Sequence, residues 1–271
     1  MTATLAQSTG KGEQAPKKGP GQILRSEMAE AKDALHRSVG RLFMSGLSAG
    51  LDVGFSVLLM ATMWTEASGK LSKPVTSMLV AAMYSVGFIF VVIGRSELFT
   101  EQTTLAVLPV LSGKTSIVEL LRLWGVVLLS NIIGAAVIAW LIVQIAPALG
   151  VVDEKAFGFL AGRMVFHSGG VMFFSAMLAG WLMGLLSWLV AAGRDTISQI
   201  VIVWLITASI GFTGLHHVVL GTVEVLAGVF SHQGITLSEF GRFLFFVTLG
   251  NTVGGVIFVA LIKYGHARPE A

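Results

Sequence analysis

Hydrophobic residues in this chain form long, nearly unbroken runs instead of the short alternations of a soluble domain. A spanning helix needs about 20 mainly apolar residues. Windows of that kind fall near 42–64, 76–95, 120–146, 169–192, 197–230 and 240–263. Two of them are irregular. The second gives way to GRSELFTEQTT (94–104) and then to a short apolar piece over 103–112, too short to cross a bilayer. The fifth is too long for one span and contains GFTGLHH (211–217). The pattern predicts an all-α polytopic membrane protein of six transmembrane helices, with helices 2 and 5 broken.

The N-terminal region follows a different pattern. Residues 1–20 are polar and rich in Gly, Pro and Lys, and are expected to be disordered. In QILRSEMAEAKDALHRSVGR (22–41), Ile23, Met28 and Leu35 stand among mixed charges, which predicts an amphipathic helix lying along lipid headgroups. The first long apolar run starts only near Leu42, so no signal peptide is expected. The layout is thus a polar tail with an amphipathic helix (1–40), a transmembrane domain (41–265) and a short tail (266–271).

Composition narrows the class. The chain is 54% hydrophobic and 12% charged, with a mean hydropathy of +0.81, whereas soluble domains carry about 25% charged residues. These charges are too few to cover a water-facing surface. Without cysteine, disulfides and thiolate metal sites are excluded. Most of the basic excess lies in the first 41 residues. It reads as a topology signal and a contact for membrane lipid, and no nucleic-acid partner is expected. With the N-terminus inside, twelve of the eighteen Lys and Arg residues face the cytoplasm and five face outward: Lys70, Lys73, Lys155, Arg163 and Arg242. Arg95 is left within the membrane, and both termini are expected to be cytoplasmic.

An internal repeat supports six spans. LSNIIGAAVIAWLI (129–142) aligns without gaps on LGNTVGGVIFVALI (249–262), an offset of 120 residues that pairs Asn131 with Asn251 and Gly134 with Gly254. The same offset pairs Ser48 with Ser168 and Gly50 with Gly170, and lays the break at Glu97 on His217. The halves run over about 41–146 and 163–265. Copies of a three-span unit have opposite orientations, and matched interruptions in inverted repeats point to a permeation site near the midplane. Backbone exposed by such breaks survives only when packed in protein or lining a wet cavity. Helix N-termini facing that cavity suit small anions. Gly94 and Gly214 are the expected sources of conformational freedom there.

With GRSELFTEQTT, GLHHVVLGTVEV (214–225) and GNTVGG (250–255), the chain resembles the formate/nitrite transporter family from about residue 40 to 265. LFTEQTTLAVLPVL, LRLWGVVLLSNIIG and HVVLGTVEVL place it nearest the YfdC-type branch. The resemblance implies an aquaporin-like protomer with one pore, a homopentamer in the inner membrane, and a small monocarboxylate or related weak-acid anion as cargo. A proton can accompany that cargo. It also implies roles for single residues. His217 matches the family's central histidine and Thr100, within the Leu98-Phe99-Thr100 triplet, its loop threonine. Tyr84 and Phe88 lie where the family builds an apolar constriction, and Leu98 and Ile210 match further gate positions. His216 stands where most members carry Glu, beside Gly214. Met164 replaces an anion-attracting Lys, and Gly221 an Asn four residues after the central histidine. Arg163 and His167 are the nearest candidates to stand in for that lysine.

The remaining charges are read from their spacing. Arg95 and Glu97 are expected to form an ion pair bracing the loop. Glu97 and Glu101 share a face if helical. Glu224 follows His217 by seven residues on the same face, roughly 10 Å away, and Asp52 within the first span must find a donor. No nucleophile–base pair, cofactor motif or metal-ligand spacing rises above chance, so no cofactor, metal or enzymatic activity is expected. Two other readings stay open from the residues. One is a pore for a neutral or cationic solute, prompted by the acidic cluster and Met164. The other is a sensor or assembly protein on the same scaffold, with a partner bound through residues 1–40.

Overall fold

A computed structural model of the chain describes residues 17–268. The expected disorder of 1–20 and the tail 266–271 therefore fall largely outside the described residues. Among them the regular structure is all helical, and six helices are long and apolar enough to cross a membrane.

The first span is α2 (Val39–Asp52) running into α3 (Gly54–Ala67) with a bend at Val53. The helix α1 (Pro20–His36) precedes them. The second span is α4 (Lys73–Gly94), followed after a break by α5 (Phe99–Leu105) and α6 (Val107–Leu111). The third is α7 (Ile117–Ile145). A helix that the apolar pattern does not reveal, α8 (Lys155–Val165), links the halves and packs on α3 and on the later half-helix α11 (Val218–Phe230). The fourth span is α9 (Gly169–Ala192). The fifth is α10 (Thr196–Thr213), broken before α11. The sixth is α12 (Leu237–Val253), continued by a π-helical stretch (Gly254–Leu261) and α13 (Ile262–Ala267).

The repeat is present with a different register from the expected one. Its third helices keep the offset of 120: Ser116 with Glu119, and Thr236 with Glu239, form matching capping boxes that start α7 and α12. At the breaks the offset is 119, so His217 corresponds to Leu98 and not to Glu97. In the first helices it is 130, so Ser48/Ser168 and Gly50/Gly170 are not counterparts. Gly50 instead corresponds to Gly180. A Cβ on Gly50 would lie 2.3 Å from the Asn131 carbonyl, and one on Gly180 would lie 2.2 Å from that of Asn251. Only glycine allows this helix–helix approach. Connections of different length in the two halves account for the slips. A pair of arginines keeps the third-helix offset: Arg122 donates to the Leu35 carbonyl and Arg242 to that of Val165, each at 2.6 Å.

The amphipathic helix forms as α1 (Pro20–His36), but it does not lie along headgroups. It packs across one mouth of the bundle against α5, α6, α7, α9 and α13. Ile23, Leu24, Ala31 and Leu35 are buried, and so is Glu27. Its apolar stripe is covered by protein. The face of the bundle that remains exposed is a belt including Phe90, Trp140, Phe174, Trp204 and Phe212, the character required of a surface in contact with lipid or with another copy.

Candidate functional site

Each break is held by one asparagine. The Asn131 side chain accepts from the Phe99 N–H at 2.9 Å and donates to the carbonyls of Gly46 (2.8 Å) and Glu97 (3.0 Å). Asn251 repeats this, accepting from the Val218 N–H (2.8 Å) and donating to Ala176 (2.7 Å) and His216 (2.9 Å). A serine completes each clamp: Ser45 Oγ accepts from the Glu97 N–H at 3.0 Å, and Ser175 Oγ from the His216 N–H at 3.2 Å. Buried backbone groups that lipid could not satisfy thus find partners inside the protein. Identity of the two asparagines in the repeat is the available sequence signal for their role; the register slip hides the serines.

Left-handed backbone at the breaks is divided unevenly. Gly214 has φ 69°, as expected, but in the first break Arg95 adopts φ 57° and Gly94 stays helical. Arg95 therefore ends α4 and does not clasp Glu97. Glu97 pairs with Arg37 at the end of α1, at 2.8 Å, and also accepts from the Gln102 side-chain amide. The pairing joins residues 60 apart and closes α1 onto the first break.

The half-helices α5 and α11 begin facing each other. Thr100 and His217 meet there at 2.8 Å between Oγ1 and Nε2, and both are fully buried. His217 also caps its own helix, its Nδ1 accepting from the Leu220 N–H at 3.3 Å. That bond assigns the neutral ring's proton to Nε2, which donates to Thr100 and leaves the threonine hydroxyl hydrogen for another acceptor. The Phe88 and His217 rings meet edge to face at 5.0 Å and 87°, and Tyr84 stacks on Phe88 at 5.4 Å. Leu98, at the cap of α5, and Ile210, in the last turn of α10, are fully buried. Among the described residues the buried Tyr84 hydroxyl has no hydrogen-bond partner.

Other candidates lie away from this contact. Phe99 packs edge-on against Trp124 of α7 at 6.2 Å. His216 bonds Ser175 through Nδ1 at 2.8 Å and meets the His167 ring at 5.6 Å. Glu101, with Arg95 and Glu97, lines a cavity under α1. Glu224 is buried in α11, and Asp52 accepts from Ser48 Oγ at 3.1 Å. Arg163 donates to the Gly211 carbonyl at 3.4 Å and lies against Gly214, whereas Met164 is buried. At Gly221 a Cβ would lie 2.5 Å from the Phe243 ring, so an aromatic ring takes the space a larger side chain would need.

Comparison with known proteins agrees with this architecture. The family model described as "Formate/nitrite transporter" matches residues 21–265. The chain is 33% identical over 244 residues to the inner membrane protein YfdC of Escherichia coli, covering 89% of this chain and 76% of that protein. A solved chain described as an FNT family ion channel superposes with a TM-score of 0.78 at 25% identity, covering 92% of this chain and 98% of that one. A pentameric formate channel with formate bound gives a TM-score of 0.73 at 23% identity, over 84% and 97% of the two chains. The matched model, the broken second and fifth helices and the repeat that unites them agree: the chain belongs to the formate/nitrite transporter family.

Proposed function

We propose that this chain forms a pore for a small weak-acid monovalent anion of the formate or nitrite kind, one pore in each protomer of a homopentamer in the inner membrane. The carrying observation is the 2.8 Å contact between Thr100 and His217, which joins the two facing half-helices inside an apolar shell. The family's description supports the cargo class, and the pentameric formate channel of like fold supports the assembly. In this reading α1 faces the cytoplasm with both termini, in keeping with the basic excess of the N-terminal region.

The chemistry follows from desolvation. Moving a bare charge into the membrane centre costs several kcal/mol, and a neutral acid costs far less. An anion arriving between Tyr84, Phe88, Leu98 and Ile210 loses water and meets groups that can repay part of that loss. His217 Nε2–H and the Thr100 hydroxyl are the donors at the meeting point of the helix N-termini, whose dipoles favour negative charge. When the imidazole takes up a proton from water and the resulting imidazolium passes its Nε2 proton to the anion, the anion continues as the neutral acid and the ring returns to neutral imidazole. Arg163, beside Gly214, supplies positive charge where the family's lysine is replaced by Met164.

Formate uptake by the purified protein in liposomes, measured across a pH gradient, tests this. His217→Asn, which keeps a cap acceptor but cannot exchange a proton, abolishes proton-coupled uptake. Uptake with unchanged rate and pH dependence in that variant defeats the histidine mechanism.

A further inference from the structure

Glu224 is a carboxyl at membrane depth that holds nothing together. It lies midway along α11 between Val223 and Val225 and is 3% exposed. Among the described residues neither an ion pair nor a hydrogen bond reaches it. Its oxygens are not sealed in, however. Unlike the Tyr84 hydroxyl, they keep a surface that a small molecule can touch. Buried polar groups that serve a fold are hydrogen-bonded, and an ionisable side chain inside a membrane is expensive to keep without a task.

Its position suggests the task. From its cap at His217, α11 runs on to pack against α8, whereas α1 packs on α5, so α8 and α1 cover opposite mouths. Glu224 stands two turns from His217 toward the α8 mouth, on the same helix face and about 10 Å away. Arg163 of α8 is the charge that acts on Glu224, and both of them act on the Tyr84 hydroxyl. Arg163 and Tyr84 meet at one turn of α10: the guanidinium donates to the Gly211 carbonyl at 3.4 Å, and a Cβ on Gly211 would lie 2.7 Å from the Tyr84 side chain. Tyr84 stacks on Phe88, whose ring meets His217. The order from the α8 mouth is therefore Arg163 and Glu224, then the two rings, then His217 with Thr100. Other charged groups on helices packed against α11 are engaged elsewhere. Glu66 pairs with Lys70, Arg242 and Arg122 bond the Val165 and Leu35 carbonyls, Glu119 and Glu239 cap their own helices, and Glu101 lines the cavity under α1.

We propose that Glu224 is a second proton-exchanging residue of the pathway, standing across the Tyr84–Phe88 rings from His217. The inference rests on the transport reading. A weak-acid anion entering from the α8 mouth meets the protonated carboxyl before it meets the rings. The Glu224 O–H bond breaks, an O–H bond forms on the cargo, and the neutral acid passes the rings toward Thr100 and His217. The carboxylate left behind faces Arg163 until water at that mouth returns its proton. In the other direction, the acid formed at His217 crosses the rings and gives its proton to the Glu224 carboxylate. The rings then see only the neutral acid, which avoids placing a bare charge where it is most costly.

Formate uptake by the purified full-length protein in liposomes, measured from acid to neutral external pH and above the rate of protein-free liposomes, tests this. Glu224→Gln keeps the size of the side chain and removes its exchangeable proton. Since the carboxyl bonds nothing, the variant should melt with the wild type, take up formate at least about tenfold more slowly, and lose the rise of uptake with acidity. Glu224→Asp retains an exchangeable proton and should keep that rise at a reduced rate, which preserves the test if glutamine disturbs assembly. Wild-type uptake in Glu224→Gln, a lower rate with the wild-type pH profile, or an assembled Glu224→Asp without the rise overturns the proposal. Failure of the transport reading is distinguishable, because the wild type itself then carries no formate.

Discussion

Replacing Asn251 by alanine removes three hydrogen bonds at once, all of them from groups that water cannot reach. The Val218 N–H loses its acceptor at 2.8 Å, and the Ala176 and His216 carbonyls lose their donor at 2.7 and 2.9 Å. Each buried orphan costs about 1–3 kcal/mol, so the variant should lose about 3–9 kcal/mol of stability. For a chain of this size 1 kcal/mol corresponds to about 2–4 °C in Tm, which makes the expected fall at least about 6 °C. Asn131→Ala strips the same three kinds of bond from the first break and should lose a similar amount.

Thermal unfolding in detergent, followed by near-ultraviolet signal and by retention of the assembled species, measures this. Asn251→Asp separates the two halves of the effect: it keeps an acceptor for Val218 but cannot donate to either carbonyl, so it should be nearly as damaging as alanine. A shift below about 2 °C in both alanine variants would refute the clamp, because it would mean that these backbone groups find other partners. Rescue by aspartate would refute the importance of the two carbonyl bonds.

The two left-handed residues should respond in opposite senses. Gly214→Ala places a Cβ at φ 69° and 2.7 Å from the Arg163 guanidinium, and should lower stability by about 1–2 kcal/mol, while Arg95→Gly relieves φ 57° and should raise it by about 1 kcal/mol; denaturation midpoints report both. Arg37→Gln strands the buried Glu97 carboxylate, and since Arg37 is partly exposed the cost should be roughly 2 kcal/mol, largely recovered when Glu97→Gln is added. Burial, then the neighbouring Glu101 and Glu30, push the Glu27 carboxyl well above its ordinary value of 4.5. The docked helix therefore holds that proton more tightly than the undocked one, so docking is strongest in acid and weakens as pH rises past that ordinary value. Hydrogen exchange of α1 should accelerate beyond the intrinsic rate as pH rises from that ordinary value through the raised one, and Glu27→Gln should remove the excess.

Much of the architecture is legible because membrane burial imposes a coarse, one-dimensional signal. Length and hydropathy locate α4, α7, α9 and α10, and the charges at 95–101 and the histidines at 216–217 mark where backbone must leave the helix. The π-helical stretch at Gly254–Leu261 keeps the apolar composition of the helix around it and so leaves no trace. In α8, eleven residues of mixed character are too short to register against a threshold of about 20. The docking of α1 is hidden for another reason. An amphipathic stripe reports that something covers it, and headgroups and a bundle mouth satisfy the same pattern. Arg37 likewise reads as a topology charge, when its use is a bond to Glu97 sixty residues away. Local spacing favours Arg95 as the partner, but a residue that ends α4 in left-handed backbone does not turn its side chain onto its neighbour's carboxylate.

The register of the repeat bears directly on how the site works. Scaffolding groups are shared between the halves: Asn131 and Asn251, Ser45 and Ser175, Arg122 and Arg242, and Gly50 and Gly180 do the same work twice. The groups proposed to meet cargo are not shared. With the 119-residue offset, the helix cap is Leu98 in one half and His217 in the other, and Thr100 corresponds to Val219. One half thus contributes the hydroxyl and the other the imidazole, and their bond at 2.8 Å crosses between copies. The same holds beside the caps, where the Arg37–Glu97 ion pair of one half is replaced in the other by the His167–His216 contact. A site built from two identical caps would offer either two hydrophobes or two imidazoles, the first without a proton to exchange and the second with two like charges in acid. Divergence at a few positions on a shared clamp avoids both. Exchanging the caps, as His217→Leu combined with Leu98→His, should therefore preserve the fold through Asn131 and Asn251 while the transplanted imidazole, now on the same half-helix as Thr100, has no hydroxyl facing it from α11. Assembly at wild-type yield with lost proton-coupled uptake is the expected result, and wild-type uptake would show that the cross-copy bond is dispensable.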